Sequence, residues 1–145
     1  MRPSVSQQTV DIPTLFDRYE WGFETVEPGI WRSTFADEQD EEFDLYVADS
    51  EEWLHFAVTP FTPAPAPECR ERLTSLLLNL NQSVRLVRFA TDSDGDVSLL
   101  ADLPRATLSF ALFAATMDAL IHYTRELATP VGRAATDPRF EVSFP

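Results

Sequence analysis

A chain of 145 residues amounts to one domain and is long enough to bury a core. Its 44% hydrophobic and 12% aromatic content excludes wholesale disorder. The net charge of −13 comes from 24 acids against 11 bases, every one of them Arg. A surface of that sign repels phosphate backbones and anionic lipid, so no nucleic acid and no membrane is expected as partner.

Residues 1–10 are polar and are expected to form a flexible N-terminus; MRPSVSQQTVDIP holds no apolar core of a secretory signal. The most apolar window, Leu103 to Leu120, is interrupted by Pro104, Arg105, Ser109 and Asp118, which argues against a membrane span. The expected location is cytoplasmic. The single cysteine, Cys69, permits no intrachain disulfide and reads as a small apolar residue on a helix face.

A short helix fits Asp11 to Tyr19, with Asp11 as cap, Pro13 in the first turn, and Leu15, Phe16 and Tyr19 as a narrow stripe. Glu27-Pro28-Gly29 is a turn. Three half-buried antiparallel strands follow: Ile30 to Phe35, then Phe43, Leu45 and Val47, then Leu54, Phe56 and Val58. The acidic run Asp37 to Glu42 reads as a solvated hairpin loop between the first two. Thr59 to Pro67 carries four prolines and reads as a stiff extended connector outside the sheet, in preference to a Pro-rich ligand for another domain.

From Glu68 a helix places Cys69, Leu73, Leu76, Leu77 and Leu80 on one face. Val84 to Thr91 and Val97 to Asp102 then form a hairpin whose Asp94-Gly95 pair suits a primed turn. The last helix, about Thr107 to Ala128, carries Phe110, Phe113, Met117, Leu120, Ile121 and Leu127 toward the sheet. A second set, Leu108, Leu112, Ala115, Ala119 and His122, repeats in steps of four and three and forms a seam for another helix. A second subunit or the preceding helix must fill that seam. Pro130, Gly132 and Pro138 are expected to break up a C-terminal tail, residues 131–145, whose Phe140, Val142 and Phe144 could dock as a terminal strand.

No catalytic constellation is visible. An EF-hand reading of Asp92, Asp94, Asp96 and Asp102 fails, because counting from Asp92 the Gly is fourth instead of sixth and Leu103 stands at position twelve, where the bidentate Glu belongs. His55 and His122 sit at no ligand spacing from each other or from Cys69, so no metal is expected. His55 has no adjacent nucleophile; a general-base role beside Asp44 is the enzymatic alternative. With four glycines and no phosphate-cradling loop, no cofactor is expected either. Trp31, Phe35, Tyr46, Trp53 and His55 read as outward residues of one sheet face and as a partner-binding patch.

The helix ending Leu77-Leu78-Asn79-Leu80-Asn81, the strand closing at Phe89, the acidic turn Asp92 to Asp96 and the strand ending Leu103-Pro104 before an apolar helix resemble the type III secretion chaperone-like fold. Within it, the chain is similar to the YbjN-type bacterial family of sensory transduction regulators. The resemblance spans about Asp11 to Leu127. It implies one α+β domain over residues 11–130, of order α-β-β-β-α-β-β-α, with a single twisted antiparallel sheet of about five strands and helices mainly on one face. It also implies a homodimer that binds a protein or peptide and catalyses nothing, chaperone-like or regulatory. A small-ligand sensory domain with a pocket between sheet and last helix is the alternative.

Overall fold

Side-chain alternation decides the layers of this molecule, whose computed structural model describes residues 10–142. The expectations for residues 1–9 and for Phe144 lie outside the described residues. Strands β2 (Ile30–Ala36), β3 (Glu42–Asp49), β4 (Trp53–Thr62) and β6 (Val97–Pro104) pair antiparallel, so residues facing each other across a pair share one face. One row, Ser33, Leu45, Val58 and Leu99, is buried throughout. The next, Trp31, Val47, Phe56 and Ala101, is buried except for the partly exposed Trp31. Strands β1 (Glu24–Glu27) and β5 (Arg88–Thr91) complete a six-stranded sheet of order β1-β2-β3-β4-β6-β5.

All three helices serve that buried face. α3 (Phe110–Thr136) lies across β4 and β6, and α1 (Ile12–Tyr19) and α2 (Arg70–Leu80) pack beside it. Phe113 is the centre of the contact: its ring meets Phe16 edge-on at 5.3 Å and Phe56 at 5.7 Å. Edge-to-face geometry of this kind adds about 0.5–1.5 kcal/mol per pair beyond the burial itself. Cys69, Leu73, Leu76, Leu77 and Leu80 are buried as the helical spacing predicts.

Several local expectations change. β1 is an additional strand, unannounced by its glutamates. Asp11 stands at the N-cap of α1, but its carboxylate accepts the Thr14 hydroxyl at 2.7 Å and leaves the backbone N–H groups uncapped. The loop after β2 is not wholly solvated: Asp37 is buried and accepts the N–H groups of Gln39 and Glu41, each at 2.9 Å. The Pro-rich connector starts later, because β4 continues through Thr62, which pairs with Val97. Pro60 falls in the irregularity between Val58 and Thr62, where no ladder donor is needed. The β5–β6 connection is a longer loop than a two-residue primed turn. Gly95 alone takes positive φ (+88°), and the Asp92 carboxylate accepts the N–H groups of Asp94 and Asp96. Val84 to Val87 lie outside β5.

The largest departure is α3, which runs through Pro130 and Gly132 to Thr136. Pro130 removes one N–H bond, but Val131, Ala134 and Ala135 beyond it are buried and hold the final turns against the core. Arg72 of α2 secures this end. Its guanidinium donates to the carbonyls of Ala134 (2.9 Å), Asp137 (2.7 Å), Pro138 (3.1 Å) and Phe140 (2.7 Å). A fixed cationic fork meets the negative end of the helix dipole and supplies donors the last turn lacks. Phe140 and Val142 pack on the core without forming a strand. Arg72→Met is expected to lower stability by about 2–3 kcal/mol in urea titrations and to free the segment after Pro130 for hydrogen exchange. Arg72→Lys should recover little of it, since an ammonium cannot span four carbonyls.

Candidate functional site

The opposite face of the sheet carries no helix among the described residues. Its central row runs Arg32, Tyr46, Ala57, Leu100 and Arg88, each directly opposite the next across the register. Ala48, His55 and Asp102 form a parallel row, and Ser98 with Ala90 a third. Small side chains at Ala48, Ala57 and Ala90 leave a low floor between Tyr46 and Leu100, and Trp53 stands 43% exposed at one end.

Three carboxylates on this face have side-chain partners, whereas Glu42, on the same side of β3 as Asp44, has none among the described residues. Arg32 bonds Glu24 across β1–β2, and Thr34 donates to Asp44 at 2.8 Å. His55 Nδ1 lies 2.5 Å from Asp102 Oδ1, and Arg88 reaches Asp102 Oδ2 at 2.8 Å. Burial pushes the Asp102 carboxyl up, but the hydrogen bonds from His55 and Arg88 and the Arg88 charge outweigh it, leaving the group below its ordinary range. His55 Nε2 is 3.5 Å from the Ser50 hydroxyl, so Ser50, His55 and Asp102 stand in a line that the sequence reading missed. The signal was hidden by distance: Asp102 is 47 residues from His55, and only the β4–β6 register joins them. Asp44, the carboxylate expected beside His55, serves Thr34 instead. The Ser50 hydroxyl donates to the Trp53 carbonyl (3.0 Å) and accepts the Trp53 N–H (3.1 Å). With that proton committed to the turn, the line works as a latch between the β3–β4 turn and β6.

The five residues expected to form one patch divide between the two faces. Tyr46, Trp53 and His55 lie on the open face. Trp31 is opposite Val47 and Phe35 opposite Phe43, which places both on the helix side. The buried Ser33 between them, whose hydroxyl donates to the Gly22 carbonyl at 2.6 Å, disguises this row as polar. The α3 seam is divided as well. Leu108 is buried, Leu112 and Ala119 pack partly buried on the core beside the chain's own helices, and Ala115 and His122 are exposed.

The two sheet edges differ. Along β5, Asn81 takes the place of a neighbouring strand: its amide accepts the Phe89 N–H at 2.7 Å and donates to the Phe89 carbonyl at 3.2 Å. Along β1 every residue is exposed, and Glu24 and Glu27 flank Thr25 and Val26. Among the described residues there is no cluster suited to a metal ion, and no helix long and apolar enough to cross a membrane.

Asp102 has a lowered folded-state pKa, so its contribution is present above the ordinary carboxylate range and is lost as pH falls through the lower folded value. Asp102→Asn is therefore expected to shift the urea midpoint down at pH 7, with the difference from the parent shrinking toward zero under acid conditions.

The fold has solved counterparts. A chain of the ExsC–ExsE complex superposes with a TM-score of 0.59 at 13% identity, covering 90% of this chain and 97% of its own. The heterodimeric ExoU–SpcU complex of the Pseudomonas aeruginosa type III secretion system gives 0.57 at 17% identity, covering 86% and 98%. The Yersinia pestis type III secretion chaperone SycH, in complex with a fragment of YscM2, gives 0.52 at 18% identity, covering 86% and 99%. No curated protein matches in sequence. At these identities the likeness concerns the fold, which is that of the type III secretion chaperones. The family profile described as "Putative bacterial sensory transduction regulator" matches residues 11–133, and the chain belongs to that family, YbjN.

Proposed function

We propose that this chain is a non-enzymatic, chaperone-like or regulatory protein-interaction domain of the cytoplasm that holds an extended segment of a partner protein. One observation carries the reading: among the described residues helices cover a single face of the sheet, and the other presents a low apolar floor bordered by the paired groups Arg32–Glu24 and His55–Asp102–Arg88. A bound segment would bury its apolar side chains over Ala57, Leu100 and Tyr46, with Trp53 and His55 at one end. The β1 edge, open where β5 is closed by Asn81, offers backbone pairing to the same segment. The surplus of acids favours partners with basic flanks. The chaperone SycH, solved with a fragment of YscM2 bound, is consistent with such a partner.

The homodimer belongs to the same reading. What remains of its seam on α3 is the exposed pair Ala115 and His122, small enough at Ala115 for a second helix to approach. A small-ligand sensory role has one observation in its favour, a cleft of about 750 Å³ between the end of α1, the β2–β3 loop and α3. The contact between sheet and α3 is itself filled by Phe56, Phe113, Met117 and Leu120.

Ala57→Arg places a cation in the middle of the floor without touching the core. Proteins captured from native cytosol by the parent chain should be lost about tenfold with this variant at unchanged melting temperature; equal capture contradicts the docking face. In light scattering, Ala115→Glu should halve the mass of a dimer built on α3; an unchanged mass removes that seam.

A further inference from the structure

The cleft beside α3 is built from two sources that the sequence separates widely. Residues Asp118, Ile121, His122, Arg125 and Glu126 fall at helical spacing on one face of α3. Opposite them stand Tyr19, Trp21 and Glu38. Tyr19 ends α1, and Glu20 then takes a left-handed conformation (φ 63°), which turns the chain so that Tyr19 and Trp21 line the cleft together. The two rings meet edge to face at 5.8 Å, and Trp21 is backed by Phe35 at 5.7 Å. The aromatic wall is thus fixed from behind by the core.

The charges in the cleft are unevenly satisfied. The Tyr19 hydroxyl donates to Asp118 Oδ1 at 2.5 Å, which orients that carboxylate without neutralising it. Burial, the Asp118 hydrogen bond and the Asp118 charge hold the phenol well above its usual range against the opposing charge of Arg125, so it stays a neutral donor. Glu126 is matched to His122 at 2.9 Å. Arg125 is the single guanidinium in the lining; its Nε donates to the Ala36 carbonyl at 3.3 Å. No Arg nitrogen lies within 4.0 Å of Glu38 or Asp118 among the described residues. Three carboxylates and two aromatic rings therefore surround a space with one built-in cation, and two of the carboxylates have none at salt-bridge distance.

We infer that this cleft receives an organic cation, a guanidinium or a primary ammonium group, held between the Tyr19–Trp21 wall and the carboxylates of Asp118 and Glu38. A flat guanidinium can stack on an aromatic face while its N–H groups reach a carboxylate, and both contacts favour the charged form. An anion would meet three negative groups, and an apolar ligand would desolvate them. The same chemistry is offered by an Arg or Lys side chain of a bound protein and by a free polyamine. The inference does not depend on the open sheet face, which lies on the other side of the sheet.

The test uses the full chain and the indole N–H resonance of Trp21, identified by its loss in Trp21→Phe. Titration with Nα-acetyl-arginine amide or with spermidine should move this resonance to saturation. The neutral isostere Nα-acetyl-citrulline amide should leave it unmoved. Glu38→Gln, which alters an exposed side chain without a fold contact, and Asp118→Asn should each weaken the cation about fivefold. Tighter binding of the arginine compound assigns the cleft to a partner's side chain; tighter binding of spermidine assigns it to a free amine. A Trp21 resonance indifferent to both cations, or moved equally by the citrulline compound, overturns the inference.

Discussion

Strict alternation along four central strands, combined with helices that among the described residues serve one face, is the constraint on which this structure rests. Val47, Phe56 and Ala101 point one way; Tyr46, Ala57 and Leu100 point the other. A slip of one residue would exchange the two sets, leaving Phe56 in water and driving Asp102 into the core. The register is held by the Phe113 ring cluster on the inner side and by the Ser50–His55–Asp102–Arg88 latch on the outer side. The face without helices therefore shares the register that the core sets.

Charge complements this division. The molecule carries a surplus of acid, but on the open sheet face Glu24, Asp44 and Asp102 each find a partner. Uncompensated carboxylates lie at its margin, at Glu42 and at Asp44 with its one hydroxyl partner, and in the loops and beside α3. The ion pairs at Asp102 border the Ala57–Leu100 floor, and the acidic surplus of the molecule attracts basic sequences at long range. The sealed β5 edge and the acidic β1 edge follow the same logic, since an unprotected edge strand invites indiscriminate pairing.

Much of this was legible in the sequence, and the failures have physical causes. The α2 stripe from Cys69 to Leu80, the alternation of β3 and β4 and the order of elements all stand in the structure. Trp31 and Phe35 were placed on the wrong face because Ser33, buried between them, breaks the apolar row with a hydroxyl that is satisfied only in the folded state. Pro130 and Gly132 suggested an end to α3, but the buried Val131, Ala134 and Ala135 and the four carbonyl bonds from Arg72 outweigh one missing helical bond. Arg72 is sixty or more residues from its acceptors, so no local pattern could announce it. The cleft of Tyr19, Trp21 and Asp118 was invisible for the same reason.

The central claim is that one face of the sheet is open and the other sealed, and alanine methyl groups report on it directly. With a soluble gadolinium chelate, the methyl protons of Ala48, Ala57 and Ala90 should relax strongly, while those of Ala101, Ala134 and Ala135 should remain unaffected. Equal protection of Ala57 and Ala101 in the dilute chain would show the face to be covered already and would contradict the account.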